Sequence, residues 1–103
     1  MTELKEFFKI LSNDPNIELN ISYMDSEAYK IKNIFRYKSK EYILNSDLFE
    51  CISDCLVMQV VVSEANAAIL ERYRTGPKLI FVDIILQKDE KSTKAAEIAE
   101  ERE

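Results

Sequence analysis

The chain has 103 residues, 47% hydrophobic and 32% charged, with a formal charge of −5, one Gly, two Pro and no His. Those proportions describe a single folded globular domain and exclude a disordered segment. The absence of His rules out Ser-His-Asp, Cys-His and His-metal sites within the chain, one Gly rules out a Gly-rich phosphate loop, and the acidic balance argues against coating nucleic acid by bulk charge.

Residues 3 to 12 read as a short helix, with Leu4, Phe7, Phe8 and Leu11 on one face and Thr2 as N-cap. Pro15 closes it. Residues 17 to 23 alternate, with Ile17, Leu19, Ile21 and Tyr23 on one side and Glu18, Asn20 and Ser22 on the other, as in a half-buried strand. A second strand is expected over 29 to 37. Pairing Tyr23 with Tyr29 makes the polar faces of the two strands coincide. A third strand over 41 to 45 then completes an antiparallel meander, with Ile34 opposite Ile43 on the outer face.

Residues 46 to 75 are ambiguous. Asn45, Ser46 and Asp47 offer N-caps, and Leu48, Ile52, Cys55 and Leu56 form a helical stripe, but from Leu56 to Val62 the amphipathic pattern disappears. The lack of turn residues favours one long helix from 47 to 74. The alternative is helix, strand, helix, leading into a βαβ unit. Residues 78 to 86, KLIFVDIIL, are apolar on both faces and read as an inner strand. The rest is polar, with Ser92 or Thr93 as cap of a marginal helix bearing Ala95, Ile98 and Ala99. The expected fold is therefore α+β: a meander plus a further inner strand, packed against a long helix, with short N-terminal and marginal C-terminal helices. Residues 1–88 form the domain and 89–103 a charged tail.

No residue set spells a reaction. Asp83, alone in an apolar strand, needs a partner such as Arg72 or Arg74, a rim position, or a role as acid, base or metal ligand. A nuclease-like group with Asp89, Glu90 and Lys91 runs off the strand. Arg72, Arg74 and Lys78 suit the end of a helix, where cations complement exposed carbonyls. Cys51 and Cys55 read as small buried apolar side chains, since a metal site usually needs more ligands than this pair.

The pattern most open to a binding role is YKIKNIFRYKSKEY, where Lys30, Lys32, Arg36, Lys38 and Lys40 fall at even positions and would share one strand face. A solvated face explains the alternation, and Lys also blunts strand edges. Phosphate tracking with stacking tyrosines is the nucleic-acid reading. An outer Ile34–Ile43 pair ringed by Lys32, Arg36 and Glu41 is the protein-interface reading. A second surface, carrying Glu64, Glu71, Asp89, Glu90, Glu97, Glu100, Glu101 and Glu103, could meet a basic partner.

The expectation drawn from this is a small, acidic, non-enzymatic protein that blocks or adapts a macromolecular partner, foremost a protein, through Lys30, Lys32, Ile34, Arg36, Lys38, Lys40, Glu41 and Ile43. Compact inhibitors encoded by mobile elements offer an analogy in size and charge alone. A nucleic-acid-binding module on residues 30–40 is the alternative, and a carboxylate enzyme centred on Asp83 comes third. No cofactor or metal is expected, and a homodimer is compatible with the composition. The start MTELKEFFKIL lacks the basic-then-apolar order of a targeting signal, and residues 56–62 are too short to span a bilayer, so a cytoplasmic protein away from membranes is expected.

Overall fold

The computed structural model describes residues 1–14, 16–64 and 80–102. In chain order these form α1 (Leu4–Ile10), β1 (Ile17–Asp25), β2 (Lys30–Lys38), α2 (Lys40–Leu44), α3 (Asp47–Ile52), β3 (Val57–Glu64), β4 (Ile80–Leu86) and α4 (Glu90–Arg102). The class is α+β. Four strands make one mixed sheet in the order β2-β1-β4-β3. β1 runs antiparallel to β2 and parallel to β4, while β3 and β4 are antiparallel. β4 is an inner strand, as its two apolar faces demand. No described helix is long and apolar enough to cross a membrane.

One sheet face carries the core. Alternation sends Leu19, Ile21 and Tyr23 of β1 and Val82, Ile84 and Leu86 of β4 inward, where they meet Ile43, Leu48, Ile52, Ala95 and Ala96. The two alanines let α4 lie close over β1 and β2 beside α3. Arg102, near the end of α4, returns to Asp47 at the start of α3 with two hydrogen bonds of 2.9 and 2.8 Å. Those bonds hold the Asp47 carboxyl down to about 2. α1 packs through Leu4 and Phe8, whose ring lies 5.0 Å from that of Phe49. Its first amides are not satisfied by Thr2. Leu4 N–H donates to Cys55 O and Lys5 N–H to Ser53 O, at 2.9 and 2.8 Å, so the chain entering β3 closes the helix start.

Three expectations are corrected. The third strand of the meander is the helix α2, because the Ser39 side chain accepts from Tyr42 N–H at 3.1 Å and caps a helical turn. The long helix from 47 to 74 stops at Ile52, and residues 57–64 form β3, antiparallel to β4 and so not half of a parallel βαβ unit. Val57, Val60, Val61 and Val62 are β-branched, and β4 gives their backbone a ladder that outweighs the lack of turn residues before them. The helix that lies over the sheet is α4, with Ser92, Ala95 and Ala96 buried. The expected helix over 65–74 and the Arg72, Arg74 and Lys78 group lie outside the described residues.

The β1–β2 register also differs. Tyr23 faces Lys32 and Asp25 faces Lys30, three positions from the expected pairing. The turn runs through Tyr29, which adopts φ 53°, and Asp25 Oδ1 accepts from Glu27 N–H and Ala28 N–H at 3.2 and 3.3 Å. An odd shift exchanges the two faces of a strand. Lys30 and Lys32 therefore stand on the side of Tyr23 and α4. Farther along, two register irregularities break the alternation, and both Ile34 and Phe35 turn into the core.

Candidate functional site

The structure disperses the cations that the sequence places on one face. Lys32 and Arg36 enter a cleft of about 480 Å³ between β2 and α4, shared with Lys88, Asp25, Glu97 and Glu100. Within it Lys88 Nζ bonds Asp25 at 3.1 Å, which keeps that carboxyl below its usual range. With the Asn33 amide turned to accept, its oxygen lies 2.9 Å from Arg36 Nη2. Lys38 sits over the Tyr42 ring at 4.7 Å, and Lys40 Nζ donates to Leu11 O at 2.7 Å at the exit of α1. Lys30 and Glu41 are exposed. Three cations, Lys32, Arg36 and Lys88, thus share the cleft with three carboxylates, Asp25, Glu97 and Glu100.

The expected apolar centre of an interface is absent from the surface. Ile34 is 5% exposed and Ile43 is 0% exposed, so both are core residues. The bulge turns Ile34 inward, and α2 presents Ile43 to the sheet. Of the acidic set, Asp89 is taken up in the cap of α4, and Glu71 and Glu103 lie outside the described residues.

Asp83 finds a partner on its neighbour strand. Asn20 Nδ2 donates to Asp83 Oδ1 at 2.8 Å, while Asn20 Oδ1 accepts from Tyr37 N–H at 2.9 Å. Asn20 thus links the two inner strands to β2 and satisfies an amide freed where Tyr37 takes φ 52°. That backbone conformation carries the Tyr37 ring to the outer face, 5.7 Å from Phe81 and edge-on to it. Lys91 is paired with Asp54, far along the chain from Asp83. Among the described residues no three Cys, Asp or Glu side chains are grouped to hold a metal. The arrangement around Asp83 is thus a polar cross-tie of the sheet.

The cysteines part company. Cys55 is buried at 1% exposure, and its thiol lies 3.7 Å from Asp89 Oδ1. Burial, followed by the Asp89 carboxylate, pushes the Cys55 thiol up to about 12. Cys51 is exposed, contrary to expectation, because α3 turns the residue before Ile52 to solvent. An aromatic disulfide reagent is expected to titrate Cys51 promptly in the native protein and Cys55 only after denaturation. Two fast equivalents under native conditions would contradict the burial of Cys55.

What remains is a contrast between the two edges of the sheet. β2 forms one edge and carries Lys30, Lys32, Arg36 and Lys38 together with two irregularities. Charges and bulges of this kind oppose pairing with another strand. β3 forms the other edge, and Val57 to Ser63 contain no charge. Met58 is 56% exposed, Val61 40% and Val62 66%. Among the described residues β3 pairs with β4 alone. At its start Val57 N–H donates to Thr2 O at 2.8 Å and the register with β4 shifts between Val57 and Gln59, so the edge that pairs with β4 alone runs from Gln59 onward. The sequence flagged residues 56–62 only as ambiguous; their density of β-branched residues was the signal for a strand. Comparison with protein-family models, curated proteins and solved structures gives no match.

Proposed function

We propose that the chain is a non-enzymatic protein-binding module that blocks or adapts its partner by offering the edge strand β3. The observation that carries this is the difference in charge between the edges: β2 carries Lys30, Lys32, Arg36 and Lys38, whereas Val57 to Ser63 of β3 carry none and expose Met58, Val61 and Val62, although the register is irregular on both edges. An exposed edge without charge is a template for an added strand. Main-chain hydrogen bonds would supply affinity there, and the alternating side chains of Val60, Val61 and Val62 would supply selectivity.

The nucleic-acid alternative has less support. Phosphate tracking needs cations in sequence along a groove. Here Lys32, Arg36 and Lys88 share their cleft with Asp25, Glu97 and Glu100. A carboxylate enzyme has less still, since Asp83 is tied to Asn20 and the thiol of Cys55 is buried.

Site-specific photo-crosslinking tests the assignment. A benzophenone side chain at Val62 is expected to give protein adducts in cell extract, whereas the same group at Lys30 on β2 gives none. Adducts of equal yield from both edges, or adducts from Lys30 alone, would refute β3 as the binding edge.

A further inference from the structure

From the cleft between β2 and α4 we infer a binding site for a small zwitterion of about dipeptide length, with its carboxylate on Lys32 and Arg36 and its ammonium on Glu97 and Glu100. The site is separate from the β3 edge, because β2 and β3 are the two opposite ends of the sheet. Two walls of opposite charge carry the inference. Lys32 and Arg36 line the cleft from β2, and Glu97 and Glu100, three positions apart on one face of α4, line it from the other side. Among the described residues, no ion pair includes any of these four. Lys88 and Asp25, the other two charges of the cleft, neutralise each other at 3.1 Å. What remains is two cations and two carboxylates, balanced in charge and kept apart.

Both walls are held in place. β2 is laddered to β1, while α4 is fixed by buried Ala95 and Ala96 and by the Arg102–Asp47 pair. The Arg36 guanidinium is itself aimed. With the Asn33 amide turned to accept, its oxygen lies 2.9 Å from Nη2 and 3.2 Å from Nε, which leaves the Nη1 side for a ligand. The balance of charge selects the ligand class. A simple anion would meet two cations but also two carboxylates, and a simple cation the reverse. A zwitterion satisfies both walls at once, and two residues of extended chain span about 7 Å, beyond the reach of a direct ion pair. Buried Tyr23 and Ala96 and exposed Ile31 offer apolar surface to its side chains. The volume, about 480 Å³, is that of a small-molecule site.

Titration of the full chain with L-alanyl-L-phenylalanine, followed through the backbone amide resonances of β2 and α4, is the test. The dipeptide is expected to shift the amides of Lys32, Arg36 and Glu97 saturably. Its N-acetyl form keeps only the carboxylate and its C-terminal amide keeps only the ammonium, so each should bind about tenfold more weakly. Paired variants read the sign of each wall. Glu97→Gln with Glu100→Gln should weaken the dipeptide about tenfold and tighten the N-acetyl form, which the carboxylates no longer repel. Lys32→Gln with Arg36→Gln should weaken the dipeptide by a similar factor and tighten the amide. Loss of fold would weaken all three probes alike, and circular dichroism checks that each variant is folded. No saturable shift with the dipeptide, equal affinity of the wild type for all three probes, or tighter binding of either single-charge form overturns the inference.

Discussion

Replacing Ile43 with Ala is expected to remove about 2–5 kcal/mol of unfolding free energy. Ile43 is 0% exposed and belongs to the cluster that joins α2 to the inner sheet face. A domain of this kind has only about 5–15 kcal/mol in total, so a loss at the upper end leaves it barely folded. Ser at the same place should cost more, since a hydroxyl there would need a partner in an apolar site. The size of the effect depends on how far Leu48 and the sheet can close the cavity. Urea denaturation followed by circular dichroism measures it, with Glu41→Ala as the control on the exposed side of the same helix. A change below about 0.5 kcal/mol for Ile43→Ala is the signature of a surface residue. It would return Ile43 to the exposed interface that the strand reading of 41–45 implied.

Ile43 also shows where the sequence could and could not be read. Inner positions on β1 and β4 were legible, because alternation over seven or more residues is a property of one segment alone. The α+β class and the inner place of β4 followed from that. Residues 39–45 were not legible as helix, since Tyr42 and Ile43 fit a short strand as well as a single helical turn. The Ser39 cap decides between them, and it counts only once the hairpin before it has ended. The bulge that turns both Ile34 and Phe35 inward was hidden for a similar reason. It lies in how β2 pairs with β1, where Ile21 faces Phe35 and Ser22 faces Asn33 so that Ile34 is the extra residue, a relation between strands. The candidate site was least legible of all. Whether a strand lies at an edge is set by strand order, and here β4 comes last in the chain yet pairs between β1 and β3. A basic run such as 30–40 attracts notice in a sequence, although on an edge strand its physical effect is to keep partners away.

Removing the side chain of Asp89 is expected to loosen α4 from the sheet, at a cost of about 1–2 kcal/mol. Asp89 and Ser92 form a reciprocal cap: Ser92 N–H donates to Asp89 Oδ1 at 2.8 Å, and Asp89 N–H donates to Ser92 Oγ at 2.9 Å. The Ser92 hydroxyl in turn donates to Gln87 O at 3.1 Å, which fastens the helix start to the end of β4. Ser92 is 0% exposed, and Ser92→Ala removes the side-chain partner of Asp89 N–H and Gln87 O, at an expected cost of about 1 kcal/mol. Because each side chain holds the other's amide, the double variant should lose less than the sum, by about 0.5 kcal/mol or more. Asp89→Asn retains a carbonyl oxygen for the cap and should recover most of the loss. Chemical denaturation of the three variants and the wild type closes the cycle. The sequence pointed to Ser92 or Thr93 as the N-cap, and a cap at Ser92 predicts a different outcome from a cap at Asp89. If Ser92 were the cap, Asp89→Ala would be nearly neutral and Ser92→Ala would carry the whole effect. If the box is closed as the geometry has it, both single variants are destabilised and the two losses are coupled. The Cys55 thiol provides a second readout, since it lies against Asp89 Oδ1 beneath the start of α4. Its reaction with a thiol reagent should quicken in Asp89→Ala and stay slow in Asp89→Asn.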